Sequence, residues 1–470
     1  MVAAPPRASV APSAHLARVL GFLDLSILSS ASMAPAYSIA ATFGLMIAAA
    51  GAGAPLALII LTVPVMFIAI AFHRMCEEHP DAGSTYAWAR LAFGTRTGAF
   101  SGWIVMLSYF GAAMATVVPA GVYTLRFLDN PLHMVGPQLA DNPFAVAIVG
   151  GAWIVAAGLL LAWGMRPTAD ASAVFLILEL GALLLFAAFA LMHPVVPGGH
   201  AGSLLTWGSG GGAGFLTAMV LAIWVADGWE ISTYTSEENT GSTRQPGRSA
   251  LVALVTTTAI MLVCAVAFMR VAPLSGLAAH ATDTLAYVAD QLGGGWRTWA
   301  MVLTVIVSTG ATLWTGQLGL SRLLFSAARD GLLPKAFGVV HPKFGTPAFS
   351  IGVVTVGALI LALLLGLEPT VYASLDDVDN IVSILLGMTF IATGAACVVY
   401  FLRKGTKWFD LTRVVLPAIG TIGLAALLIK NFHDQSRVDQ IAAIGCIVAG
   451  IVVGWLAPIA TSSFAKRTTS

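Results

Sequence analysis

The stretch SILSSASMAPAYSIAATFG, residues Ser26–Gly44, decides how this chain is read. It lies inside a long apolar run, yet it carries five serines, a tyrosine and a proline. Pro35 has no amide proton and its ring opposes the carbonyl of Ala31, so a helix through this segment is interrupted and backbone polar groups are freed. In hydrocarbon such groups have to be satisfied by protein or by a water-lined cavity. The segment therefore predicts a broken membrane helix that holds something at its break.

The rest of the chain is that of an integral membrane protein. Of 470 residues, 58% are hydrophobic and 10% charged, against roughly 25% charged in soluble domains. Apolar runs long enough to cross a hydrocarbon core of about 30 Å recur from end to end. The pattern predicts twelve transmembrane helices in an all-α fold. Runs such as LALIILTVPVMFIAIAF, residues 56–72, show no period of two, which excludes a β-barrel.

A second interruption is expected in the sixth helix, where IWVADGWEISTYT, residues 223–235, sets Asp227, Gly228 and Glu230 in an apolar segment. Broken helices five apart predict an inverted repeat. Residues 1–17 read as a disordered cytoplasmic tail, 18–193 as a first repeat of helices one to five, and 212–403 as a second repeat of helices six to ten. Residues 411–460 supply two further helices, and 461–470 a second cytoplasmic tail.

A net charge of +1 gives no reason to expect a nucleic-acid partner; the expected partners are the lipid bilayer and a small-molecule substrate, and the sequence gives no oligomeric state. The distribution of charge is more telling. With a cytoplasmic amino terminus, all of the 23 Lys and Arg except Arg126, Arg270, Arg297, Lys430 and Arg437 fall on the cytoplasmic side. The positive-inside rule then places a multi-pass protein in the cytoplasmic membrane with both termini inside. The four cysteines, Cys76, Cys264, Cys397 and Cys446, lack CxxC spacing and read as packing residues, so no metal is expected. The every-fourth-residue glycines Gly94, Gly98 and Gly102 read as a close helix contact.

The half-helix that starts at Pro35 would present amides around Ala36 to Ser38 at a positive dipole end, suited to a carboxylate. The half-helix that ends near Asp227 would present carbonyls from Trp224 to Ala226, suited to an ammonium, with the Asp227 carboxylate as added countercharge. Glu179, in FLILELGALLLF (residues 175–186), has apolar neighbours for several turns on both sides. A carboxyl in that setting relieves its burial by taking a proton, which marks Glu179 as a proton-linked switch. Asp24 reads as a cap or salt-bridge partner near the start of helix one, and Glu230 as facing the path or a neighbouring helix.

Three further stretches carry a resemblance: PDAGSTYAWARLAFG (Pro80–Gly94), DGWEISTYTSEENTGSTRQPGRS (Asp227–Ser249) and SRLLFSAARDGLLPKAFGVVHPKFGTP (Ser321–Pro347). Over roughly residues 18–460 the chain resembles the amino acid, polyamine and organocation transporters, whose core is an inverted five-plus-five helix repeat. The resemblance implies that Ser30, Ala31, Ser32, Met33, Ala34, Pro35 and Ala36, with Tyr37 beyond them, form the unwound substrate loop. It also implies that Trp224 closes over the substrate beside Ala226, Asp227 and Gly228. The family's common loop pattern is Gly-Ser-Gly or Gly-Thr-Gly. Here Ser-Ala-Ser-Met-Ala-Pro-Ala stands instead, and its side chains restrict backbone approach to a ligand. A substrate without a carboxylate therefore stands beside the amino acid as an alternative.

The expected activity is secondary active import of a small amino acid or organic amine by alternating access. The coupling ion is expected to be a proton, with no other cofactor. Sodium is the alternative, because sodium-coupled relatives of this fold set helix-eight hydroxyls against the first break, and this chain has Ser308, Thr309 and Thr312 there. A polyamine or amine importer or exchanger, and a nutrient sensor without flux, are the other readings. An enzyme is not expected: HExxH, GxSxG and CxxC are absent, and GSGGGA (Gly208–Ala213) follows no strand and reads as an outer loop.

Overall fold

The computed structural model describes residues 15–201, 204–208, 211–371 and 375–468. Most of the tail expected over 1–17 lies outside the described residues. Among these residues the regular secondary structure is all helical, apart from one isolated parallel bridge between Leu20 and Asn239. Ten helical runs are long and apolar enough to cross a membrane.

The first of these runs, Phe22–Glu78, has 57 residues. At 1.5 Å per residue it would span about 85 Å if straight, far beyond one bilayer. It is several helices: α1 (Phe22–Ser32), α2 (Pro35–Ser38), a π-helical turn, α3 (Gly44–Ala50) and α4 (Ala54–Glu78). Gly51, at φ 56°, separates α3 from α4. The pieces keep different company, since α1 packs on α8 (Met165–Met192), α11 (Arg244–Val271) and α14 (Trp296–Arg329), whereas α4 packs on α9 (Gly211–Val225), α16 (Leu375–Arg403) and α17 (Leu416–Asp434) as well as α11.

The remaining helices are α5 (Thr85–Phe93), α6 (Thr95–Asp129), α7 (Pro143–Trp163), α10 (Ile231–Tyr234), α12 (Leu274–Ala279), α13 (Thr284–Gln291), α15 (Ala348–Leu365) and α18 (Arg437–Thr468). The helix α5 lies within the resembling stretch Pro80–Gly94, where Tyr86, Trp88, Ala89 and Ala92 bury one face of it. Gly98 and Gly102 make room for that face: a Cβ at Gly98 would stand 2.4 Å from that of Arg90, and one at Gly102 3.0 Å from the Tyr86 ring. The loop expected at Gly208–Ala213 is shorter than read. Residues 209 and 210 lie outside the described residues, and Gly211 already opens α9.

Apolar side chains form two large cores, and the seam between them positions everything that follows. Leu25, Leu28 and Ala31 belong to one core, whereas Met33, Ala34, Ala36 and Tyr37 belong to the other. The sixth apolar segment crosses the same seam between Trp229 and Ile231, α8 crosses it between Leu176 and Leu183, and α14 between Ile306 and Ala311. Glu179 and Ser308 lie in those last two intervals, so the buried polar groups gather where the two apolar bodies meet.

Candidate functional site

Both expected interruptions are present. The helix α1 stops at Ser32, and Ala34 takes the left-handed conformation, φ 47° and ψ 60°, before Pro35 opens α2 at its first position. A residue with a Cβ costs roughly 1–2 kcal/mol in that region, so the surrounding packing has to hold it there. In the second interruption α9 ends at Val225 and Gly228 sits at φ 92°, a conformation that suits glycine. The two unwound segments touch. A Cβ at Gly228 would lie 2.6 Å from the backbone carbon and oxygen of Ser32 and 2.9 Å from the Met33 nitrogen. The Ser232 amide, just past the second break, donates to the Ser29 hydroxyl at 3.3 Å.

The amides after Pro35 are not open, contrary to the reading from sequence. Ala36 N donates to Glu179 Oε1 at 2.8 Å, Tyr37 N to the Ser308 hydroxyl at 3.1 Å, and Ser38 N to the Ala34 carbonyl at 2.8 Å. Ser308 Oγ in turn donates to Glu179 Oε1 at 2.6 Å. Glu179 reaches Ala36 from 143 positions away in the chain. A carboxylate set at a helix start complements the positive end of the backbone dipole, and here the protein supplies it. Glu179 is fully buried, and its other oxygen, Oε2, has no hydrogen-bond partner.

The second break behaves differently. Gly228 N donates to Glu230 Oε2 at 3.1 Å, and the Tyr109 hydroxyl donates to Glu230 Oε1 at 3.2 Å. Glu230 therefore folds back onto the break and ties it to α6. Asp227 keeps Oδ1 buried and without a partner.

A cavity opens beside the two breaks. Of the sequence-named residues, Ser32, Met33, Ala34, Tyr37, Trp224, Asp227 and Thr312 line it. Ser30, Ala31, Pro35, Ala36, Ala226 and Gly228 form the backbone behind that lining, and Glu179 and Ser308 sit across the α2 start from it. Thr309 is fully buried and donates to the Val305 carbonyl of its own helix at 2.9 Å. Asp24 is remote from the cavity: it accepts the Gly21 amide at 2.9 Å and pairs with Arg166 at 3.1 Å, which is a cap and a surface ion pair. The Tyr37 and Trp224 rings meet edge to face at 6.4 Å.

Sequence reading missed the third wall. Tyr109, Ala112, Ala113 and Thr116 of α6 face the cavity, joined by Ser38 and by Leu313, Gly316 and Leu386. The α6 residues lie three, four and seven positions after Tyr109, one face of a helix, and their small size was the only signal available.

The three longer motifs converge away from the cavity, at the end of the bundle that holds residues 15–21. Arg322 donates to both oxygens of Glu238, at 2.8 and 3.3 Å, and both side chains are fully buried. Arg329 grips Glu237 at 2.5 and 2.7 Å, Arg90 pairs with Asp330 at 3.0 Å, and Ser326 donates to Asp81 at 2.5 Å. Burial pushes the Glu238 carboxyl above its ordinary range, while the Arg322 guanidinium opposes that shift. The amides of Val19 and Leu20 donate to the Glu238 carbonyl at 2.9 and 3.0 Å and lay the first described residues across this cluster.

Comparison with known proteins agrees with this architecture. The profile of the amino acid permease family matches residues 20–462. The low-affinity putrescine importer PlaP of Escherichia coli K12 is 24% identical over 454 residues, covering 93% of this chain and 94% of its own length. The branched-chain amino acid permease BcaP of Lactococcus lactis is 24% identical over 398 residues, 80% of this chain and 81% of its own. An uncharacterized transporter of Mycobacterium tuberculosis is 28% identical over 353 residues, 74% of each chain. With a family profile that spans nearly its whole length and ten helices fit to cross a bilayer, this chain belongs to the amino acid permease family of multi-pass membrane transporters.

Proposed function

We propose that the protein imports a small amino acid or organic amine across the cytoplasmic membrane by alternating access. The observation that carries this reading is the contact of two interrupted helices, backbone to backbone at Gly228 and Ser32, beside a cavity that holds the Asp227 carboxylate. The proposed architecture has twelve crossings in an inverted five-plus-five repeat, with two added helices. Two features support that count: the 57-residue run is long enough for two crossings, and the short α9 continues past its break into α10. The repeats would be 18–193 and 212–403. The excess of Lys and Arg at one end supports cytoplasmic termini.

Transport by this route needs one body to move against another around a shared site. The seam between the two apolar cores offers that division, since both interrupted segments cross it at their breaks. Proton coupling through Glu179 follows from its position on the seam. Its carboxylate accepts hydrogen bonds from Ala36 on one element and Ser308 on another. A proton on Glu179 weakens both bonds, which loosens α2 and α14 from α8. Sodium is the second reading: the Thr309 and Thr312 hydroxyls donate to carbonyls of their own helix, which leaves their oxygen lone pairs for a cation.

Uptake of radiolabelled amino acids and amines by the purified protein in liposomes tests this. Acid outside is expected to stimulate accumulation. Stimulation by sodium alone would overturn the proton assignment, and saturable binding with no flux would make the protein a sensor.

A further inference from the structure

We infer that the groove between α4 and α11 is a binding site for an anionic phospholipid, whose acyl chain lies in the groove and whose phosphate is held by Arg74, Arg244 and Arg248. This rests on the proposed membrane topology, which sets those arginines at the inner surface.

The walls of the groove are Ile59, Val63, Met66 and Phe67 of α4 with Val255 and Leu262 of α11. It faces out of the bundle, since Val63 and Val255 are 49% and 51% exposed. Thr62 and Thr258 are the polar residues among its lining, and Thr62 directs its proton to the Leu58 carbonyl at 2.7 Å. Such a surface gives a soluble anion nothing to bind, whereas it can cover a hydrocarbon chain. The two helices close up at one end of it: a Cβ at Gly247 would stand 2.5 Å from the Cα of His73. From that contact the groove is reached at Met66 on α4 and at Val255 on α11, which is about 10–12 Å at 1.5 Å per residue. The polar layer of a leaflet is about 5–8 Å deep, so a phosphate at the level of His73 sends its chains into the groove.

Around His73 the cations outnumber their partners. Arg74, Arg244 and Arg248 all lie within electrostatic reach of its ring. Arg74 pairs with one oxygen of Glu77 at 3.0 Å, and Arg244 with the other at 2.6 Å. Arg248 is exposed and makes no ion pair among the described residues. Arg413 and Asp410, next to the Thr412 hydroxyl that Arg74 holds at 3.1 Å, pair with each other at 3.7 Å and add no net charge. Three guanidiniums therefore share one carboxylate, and the positive end of the α11 backbone dipole starts among them, at Arg244. The planar guanidinium fork matches phosphate oxygens. A zwitterionic headgroup brings its own cation, so the missing negative charge is supplied by an anionic lipid.

The test uses the purified full-length protein in an uncharged detergent, with phosphatidylglycerol or phosphatidylcholine of the same acyl chains added, and reads the first bound lipid by native mass spectrometry. Phosphatidylglycerol is expected to bind tighter by about fivefold or more; equal affinity overturns the inference. Glycerol 3-phosphate, which has the phosphate and no chains, is expected not to compete. Displacement of the lipid by it would assign the arginines to a soluble anion and overturn the lipid. Arg248→Gln is expected to weaken phosphatidylglycerol about fivefold and leave phosphatidylcholine unchanged, whereas Val255→Trp, which fills the groove, weakens both. An unchanged preference in the first variant, or unchanged binding of both lipids in the second, overturns the placement. Lipid binding in detergent is read without transport and without regard to orientation. A protein that takes up substrate in liposomes yet shows no lipid preference therefore loses this inference alone, and the permease reading stands.

Discussion

The two breaks lie against each other yet are built on opposite principles. The first uses no glycine, forces Ala34 into the left-handed region, and closes its exposed amides with Glu179 and Ser308. The second turns on Gly228 and leaves one oxygen of Asp227 without a partner beside the cavity. The named amides of both breaks are met from inside the protein. Each break keeps one buried carboxylate oxygen without a partner, Glu179 Oε2 and Asp227 Oδ1, and of these two residues only Asp227 lines the cavity. On the proposed function, the first break is a joint tied to the coupling carboxylate, and the second is the seat of the substrate charge.

That contrast can be broken most directly at Asp227. Asp227→Asn keeps the shape and removes the countercharge, and losing one side of a buried charge pair costs about 2–5 kcal/mol. Amine affinity is expected to fall by roughly 30-fold or more, measured by competition binding, while an uncharged competitor is unaffected. An equal loss for both would show structural damage in place of charge recognition. Gly228→Ala attacks the contact between the breaks. Overpacking against Ser32 is expected to cost about 1–3 kcal/mol, read as a melting temperature lower by several degrees, and an unchanged melting temperature would mean that the breaks do not touch.

Smaller effects test the first break. Glu179→Gln retains an acceptor for Ala36 but removes the titrating group. Gradient-driven accumulation in liposomes is expected to drop about tenfold, in line with about 1.5 kcal/mol for a hydrogen bond to a charged group, while the substrate Kd changes less than about threefold. Unchanged accumulation would remove Glu179 from coupling. The mildest change is Ala34→Gly, which relieves the left-handed strain against a loss of chain entropy and is expected to stabilise the protein by about 0.5–1 kcal/mol. A lower melting temperature would show that the Ala34 methyl packs more usefully than its backbone strains.

Much of the fold was legible because hydrocarbon imposes it: long apolar runs without a period of two have to be helices, and Pro35 and the Asp227–Gly228 pair announced their breaks. The site was legible at those breaks, at Glu179 and at the helix-eight hydroxyls, of which Thr312 lines the cavity and Ser308 meets the first break. Tyr109 and Thr116 went unread because small and aromatic residues on a membrane helix look like packing until a cavity is found beside them. The motifs around Glu238 and Arg322 carried only a resemblance in the sequence, whereas their charges pair across 84 positions into a buried cluster. Asp24, read as a cap or salt-bridge partner, is both.

By itself the sequence determined that this is a helical membrane protein with two interrupted helices, since a missing amide proton and a glycine among charges act locally. Which polar groups those breaks leave open was decided only by the tertiary structure. A hydrogen bond is satisfied by whatever lies within about 3 Å, and Glu179 and Ser308 reach the first break only through the packing of α8 and α14.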